Sequence, residues 1–109
     1  MGEIASHGYF VVADGPPSGG NCASIGMSTD VVSMAKPLIA YIDWAIAENE
    51  KSCSAYYQSL DTTKIAADGF SCGGLMAMGT AADPRMTAVG QTSSGLTSAV
   101  ASYYKTVHT

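Results

Sequence analysis

The sequence predicts an α/β fold of three layers, with a short and mostly parallel β-sheet between helices. Residues 9–13 form an unbroken run of apolar residues, most of them aromatic or β-branched, which is typical of a strand buried on both faces. Downstream, segments with helical spacing alternate with two more short apolar segments. The length suits one domain, so we expect residues 1–109 to form a single α/β unit.

The N-terminal half is predicted to contribute one strand and one long helix. Turn formers at residues 14–17 end the strand, and the Gly-, Pro- and Ser-rich residues 15–28 are expected to form a loop. A helix that is capped by Ser28, Thr29 or Asp30 and runs to about Asn49 is predicted by apolar residues that recur at three- and four-residue steps: Val31, Met34, Ala35, Leu38, Ile42, Ala45 and Ile46. Pro37 lies inside this pattern and predicts a kink, because it removes one helical hydrogen bond.

The C-terminal half is predicted to alternate strands and helices. Its expected segments are a polar connection at 51–63, a strand at 64–70, a helix of small residues at 71–82, a strand at 86–91 and a last helix at 96–107. The small-residue helix is expected to end before Pro84, because the residue preceding a proline disfavours helical geometry. Alternation of this kind favours parallel pairing of the strands.

Charge and hydropathy exclude several classes of partner. The chain has nine acidic residues and five basic residues. The basic residues are scattered singly along the chain: Lys36, Lys51, Lys64, Arg85 and Lys105. Nucleic acids and anionic membrane surfaces require clustered positive charge, so neither is expected to bind. No apolar run approaches the ~20 residues of a membrane-spanning helix, and the first six residues lack the basic residue of a signal peptide. The expected partner is a small molecule or another protein.

The cysteines indicate neither a disulfide scaffold nor a metal site. Cys22, Cys53 and Cys72 are widely separated, no two form a CxxC pair, and neither His7 nor His108 lies at metal-ligand spacing from them. We therefore expect no bound metal. One disulfide with a free thiol is compatible with this pattern, although three buried, reduced thiols are the expectation.

One motif in the sequence predicts a catalytic residue. Residues 69–73 read Gly-Phe-Ser-Cys-Gly, which matches G-x-S-x-G, and they fall where a strand is predicted to turn into a helix. A serine at such a turn projects its hydroxyl from the carboxyl edge of the sheet, so Ser71 is the candidate nucleophile. The N–H of Cys72 is the candidate oxyanion-hole donor. The alternative is a plain glycine-rich turn in a chain rich in glycine and serine.

Several segments carry a family resemblance over nearly the whole chain: 5–12, 14–16, 42–45, 64–66, 69–74, 83–85 and 94–96. In these segments the chain resembles the central part of an α/β-hydrolase, in a branch of bacterial and fungal esterase-like proteins. The resemblance implies a truncated α/β-hydrolase core in which Ser71 attacks ester or related acyl carbonyls, with Cys72 N–H in the oxyanion hole. It also implies that no metal or organic cofactor takes part.

The resemblance implies a catalytic acid and histidine on later strands, and no position of the chain matches them. His108, near the end of the chain, is the tentative candidate for the base. His7 is expected at the opposite edge of the sheet from Ser71, as a surface residue. Asp14 is expected at the Ser71 edge, where such a residue more often caps a turn, and Asp68 is expected to be a strand-end residue.

These observations favour a serine esterase that acts through Ser71 on a small-molecule ester. The alternative is a non-catalytic, truncated module that binds or assembles. An anion- or nucleotide-binding domain is disfavoured because no glycine-rich nucleotide motif follows a strand. In the resembled family, the strand between residues 9–13 and 64–70 would precede residue 1, which leaves a slot with unpaired edges. We therefore expect a homo-oligomer, a strand-sharing partner or a rearranged sheet.

Overall fold

The structure, a computed structural model, describes residues 2–15 and 30–95. Its elements in chain order are α1 (Gly2–Ser6), α2 (Val31–Met34), α3 (Lys36–Glu50), β1 (Ile65–Phe70), α4 (Cys72–Gly79), a 3-10 turn (Thr80–Ala82) and β2 (Met86–Thr92). Most of the predicted loop at 15–28 and the whole predicted helix at 96–107 lie outside the described residues.

The two strands pair in parallel. Their register runs from Ala66 opposite Ala88 to Phe70 opposite Thr92, with an irregularity between Ile65 and Ala66. Helix α4 makes the connection between the strands and packs against both of them. The predicted α/β class with a parallel sheet is confirmed, and the described part of the chain contributes two strands to that sheet.

Residues 9–13 are not a buried strand, and this prediction is wrong. The segment has no strand pairing, and Tyr9, Phe10 and Val12 are exposed. It lies instead along helix α3, where the ring of Phe10 stacks on that of Trp44 with centroids 6.3 Å apart. An apolar run supplies the side chains for a strand, but its backbone forms one only where a neighbouring strand meets it.

The predicted kinked helix is two helices that meet at Ala35. Asp30 begins α2, since its side chain accepts hydrogen bonds from the N–H groups of Val32 and Ser33. Pro37 lies in the first turn of α3, where a missing N–H leaves no helical hydrogen bond unmade. The proline therefore restarts the helix instead of bending it.

Helix α4 and helix α2 make the buried core. Its apolar side chains are Val31, Met34, Ala35, Met76 and Ala77. The backbones of the two helices approach so closely that a Cβ atom at Gly79 would overlap the carbonyl oxygen of Val31. Small residues in α4 therefore serve packing, because only a glycine at this position lets the helices touch.

Arg85 links the start of β2 to helix α3. Its guanidinium group donates to both carboxylate oxygens of Asp83, at 2.9 and 2.6 Å, and to Oδ1 of Asp43 at 2.6 Å. These charge-assisted bonds lower the pKa of Asp83 from 3.8 to about 2, chiefly through the side-chain hydrogen bonds with Arg85. The cluster fixes where the chain leaves α4 and enters the sheet.

We expect Asp83→Asn to lower the free energy of unfolding at neutral pH by about 1 kcal/mol, a value reduced by solvent screening at the partly exposed Arg85. The folded-state pKa lies below the ordinary value, so this stabilisation is complete above about pH 5 and is lost as the pH falls through the folded pKa of about 2. Denaturant unfolding between pH 2 and 7 measures it.

The matched control is Glu50→Gln, which removes an exposed carboxylate from α3 and should leave the unfolding curve unchanged. A difference between Asp83→Asn and the wild type that stays constant from pH 7 to pH 2 would contradict this account of the ion pair.

Candidate active site

Ser71 is the single residue between β1 and α4, and its backbone is strained. Its φ is 55° and its ψ is −114°, outside the regions that residues with a side chain normally adopt. Such a conformation costs on the order of 1–3 kcal/mol and persists only where the surrounding structure imposes it. The side chain of Ser71 is exposed. The predicted sharp strand-to-helix turn is therefore present, with a serine at its apex.

Backbone hydrogen bonds hold this turn. The N–H of Ser71 donates to the carbonyl oxygen of Thr92 at 3.0 Å, and the N–H of Gly74 donates to the carbonyl oxygen of Ser71, also at 3.0 Å. The side-chain amide of Gln91 donates to the carbonyl oxygen of Gly74 at 3.0 Å. Both sides of Ser71 are thus fixed, one to β2 and the other within the first turn of α4.

Close backbone packing also sets the turn. A Cβ atom at Gly69 would overlap the carbonyl group of Gly73, whereas one at Gly73 would meet nothing within 4 Å. Position 69 therefore requires glycine for space, and position 73 does not. Of the two motif glycines, the first keeps the strand and the helix in contact behind Ser71.

The N-terminus of α4 gives the site its electrostatic character. Cys72 is the first residue of this eight-residue helix, and the helix dipole favours negative charge beside its first N–H groups. An oxygen that develops negative charge next to Ser71 would lie in that field. The arrangement suits attack by a hydroxyl on a carbonyl group.

The expectation of three buried, reduced thiols is wrong. Cys72 is disulfide-bonded, while Cys53 is free and exposed. Cys22 lies outside the described residues. Sequence spacing did not reveal the disulfide, because separation along the chain does not tell which cysteines lie within bonding distance.

No catalytic acid or histidine is found beside Ser71 among residues 2–15 and 30–95. No side chain in this part of the chain hydrogen-bonds to Ser71 Oγ. His108, the candidate base, lies outside the described residues. His7 follows α1 and pairs with Glu3, with Nε2 and Oε1 3.2 Å apart. It is a surface residue, as predicted, but no strand follows it, so its predicted place at the edge of the sheet is wrong.

Asp14 and Asp68 are the two aspartates that the sequence analysis discussed in relation to Ser71. The carboxylate of Asp14 accepts a hydrogen bond from the hydroxyl of Tyr41 at 2.7 Å, which raises the pKa of that hydroxyl. Because residues 9–13 form no strand, Asp14 does not end one. Asp68 is exposed, within β1, and points away from the face on which α4 packs.

Sequence reasoning missed Gln91 and Thr92, which position the turn from the next strand. Both lie at the carboxyl end of β2, and the carboxyl ends of parallel strands meet at one edge of the sheet. The predicted strand at 86–91 therefore contained the signal, since its last residues had to lie beside Ser71.

The described part of the chain was searched for a metal site and for a membrane-spanning helix, and it contains neither. No group of three or more His, Cys, Asp or Glu side chains there could hold a metal ion. None of the described helices is long and apolar enough to cross a bilayer.

We expect Gly69→Ala to destabilise the fold by at least about 2 kcal/mol, because the new Cβ atom forces β1 and α4 apart. Gly73→Ala is the matched control: its Cβ atom enters open space, and the change should be neutral or slightly stabilising. Chemical denaturation of both variants measures the difference. Equal unfolding midpoints for the two variants would be incompatible with the packing described above.

Comparison with known proteins assigns no family to this chain. A scan against protein-family models found no match. Searches of curated proteins and of solved structures found none either. What is known of the candidate site therefore comes from its own residues and their geometry.

Proposed function

We propose that the protein is an esterase-like serine hydrolase in which Ser71 is the acyl-forming nucleophile. The observation that carries this proposal is the backbone of Ser71: a non-glycine residue held at a φ of 55° between a parallel strand and a helix. Strain of this kind at an exposed serine is expected where the hydroxyl must be presented to a substrate. The substrate class is a small-molecule ester.

The proposed reaction has two halves. Ser71 Oγ attacks the ester carbonyl, and the proton of the hydroxyl passes to a base. The C–O bond to the alcohol then breaks, the base returns the proton to the departing alcohol oxygen, and an acyl-serine remains. Water then attacks the acyl-serine and gives a proton to the base, and the base passes this proton to Ser71 Oγ as the acyl C–O bond breaks and the acid leaves. The charge on the carbonyl oxygen is stabilised at the N-terminus of α4, where the N–H of Cys72 is the proposed donor. No cofactor takes part.

His108 is the proposed base, on the sequence alone. A histidine serves this role because its ordinary pKa is near neutrality, so it can accept and return a proton. The resemblance to α/β-hydrolases supports the same chemistry. The resemblance also supports the proposal that the whole fold has three layers and that its sheet contains further strands beside β1 and β2.

Fluorophosphonate labelling tests the nucleophile directly, because the probe forms a covalent bond with an activated serine hydroxyl. We expect the probe to modify Ser71 in the wild-type chain, and Ser71→Ala to abolish both the labelling and any ester turnover. Ser93→Ala is the matched control: Ser93 is also exposed with a positive φ of 47°, but it follows β2 and does not begin α4.

Three results would count against parts of the proposal. Folded wild-type protein that takes no label would overturn the assignment of Ser71. Equal loss of label in Ser71→Ala and Ser93→Ala would show that the loss is not specific to Ser71, which would contradict its assignment as the nucleophile. An unchanged labelling rate in His108→Gln would remove His108 as the base while leaving Ser71 in place.

A second candidate is a non-catalytic module that binds or assembles through its sheet. The observation that favours it is the sheet itself, in which β1 has a strand neighbour on one side only among the described residues. Ester turnover that co-purifies with the wild-type chain and disappears in Ser71→Ala would exclude this candidate. Stable association without labelling or turnover would favour it over the esterase.

A further inference from the structure

The outer edge of β1 carries backbone groups that point away from β2. The N–H of Ser71 donates to Thr92, and the N–H of Ile65 donates to Oγ1 of Thr87 at 3.2 Å, so the odd-numbered positions of β1 face β2. Backbone groups of successive strand residues point to opposite sides. Ala66, Asp68 and Phe70 therefore direct their N–H and C=O groups outward.

This outer edge lacks the features that usually prevent strand pairing. It contains no proline, and the side chains at positions 66, 67 and 69 are small or absent. The described residues include no strand beside it. Its one charge, the carboxylate of Asp68, is exposed and makes no hydrogen bond or ion pair in the described part of the chain.

Lys64 lies directly before β1, and the alternation of side chains along an extended strand would place its side chain on the same face as that of Asp68. Its ammonium group is 3.5 Å from Oδ2 of Asp61, and its side chain is 78% exposed, so the pair is weak and easily exchanged. The edge thus has a positive end at position 64 and a negative position at 68. Charges of opposite sign four residues apart are self-complementary when two such strands run antiparallel.

We propose that the outer edge of β1 pairs antiparallel with the same edge of a second copy of this chain, about a two-fold axis at Ala66. In this register Lys64 of each copy lies opposite the partner's Asp68. The contact is isologous, so each pair occurs twice. The proposal concerns the sheet edge and does not depend on the chemistry of Ser71.

The other registers are less favourable. Because only even-numbered residues direct their backbone groups outward, these groups face each other only when the two-fold axis lies at a residue and not between two residues. Near the middle of β1, the alternatives to Ala66 are Ala67 and Asp68. An axis at Ala67 would place Lys64 opposite the partner's Phe70. An axis at Asp68 would place two carboxylates against each other, which is destabilising.

The favoured register forms about four backbone hydrogen bonds across the axis. Ala66 exchanges two with the partner's Ala66, and the N–H of Asp68 donates to the partner's Lys64 in each direction. The N–H of Lys64 already donates to the carbonyl oxygen of Asp61 at 3.2 Å, so it adds none. Phe70, which is 68% exposed, lies beyond these pairs, because residue 62 of the second copy, which would face it, belongs to the turn before β1.

Sedimentation velocity on the full 109-residue chain, over a range of micromolar concentrations, tests the pairing. We expect a reversible monomer–dimer equilibrium. Lys64→Glu alone and Asp68→Lys alone should each raise the dissociation constant about tenfold, because each places like charges opposite one another. The double variant, with the two charges exchanged, should dimerise like the wild type. Lys51→Glu, at an exposed lysine away from β1, is the matched control.

Amide hydrogen exchange tests the same register without any substitution. The N–H groups of Ala66 and Asp68 should gain protection as the protein concentration rises, whereas those of Ala67 and Gly69, which face β2, should be protected throughout. A chain that stays monomeric at every concentration would overturn the proposal. So would a dimer that the single charge changes do not weaken, or one that the double variant fails to restore.

Discussion

Close contact between backbones, without side chains between them, is the constraint on which this structure depends. Helix α4 touches β1 at Gly69 and α2 at Gly79, and at both places a methyl group would overlap a carbonyl group. The first contact forces the chain to turn within one residue, and the second seats α4 on the core. The strained backbone of Ser71 follows from the first contact, since the strand and the helix leave no room for a longer connection.

Parallel pairing of β1 and β2 places other groups beside the turn at Ser71. Because β1 and β2 run in the same direction, the end of β2 reaches Ser71 and holds it through the carbonyl oxygen of Thr92. Helix α4 then directs its N-terminus to the same place, so an exposed hydroxyl and a positive helix end lie together. A serine hydrolase needs both, and this coincidence is the physical basis of the proposed function.

Strand β1 carries the two proposed functional features at different places. The carboxyl end of β1 leads to Ser71, whereas the outer edge of β1 carries backbone groups that meet no other strand among the described residues. Association through that edge would leave the Ser71 hydroxyl at the end of the strand, outside the hydrogen-bonded pairs about Ala66. Chemistry at the turn and self-association at the edge are therefore separable properties of one element.

Local pattern in the sequence predicted the strands at 65–70 and 86–92, the helix after Ser71 and the serine turn, because short apolar segments alternate there with turn-forming residues. It also placed the break near Pro37. Only the tertiary structure decided that residues 9–13 form no strand and that Cys72 is disulfide-bonded. Both depend on which distant residue lies alongside, and a strand or a disulfide exists only when its partner is in place.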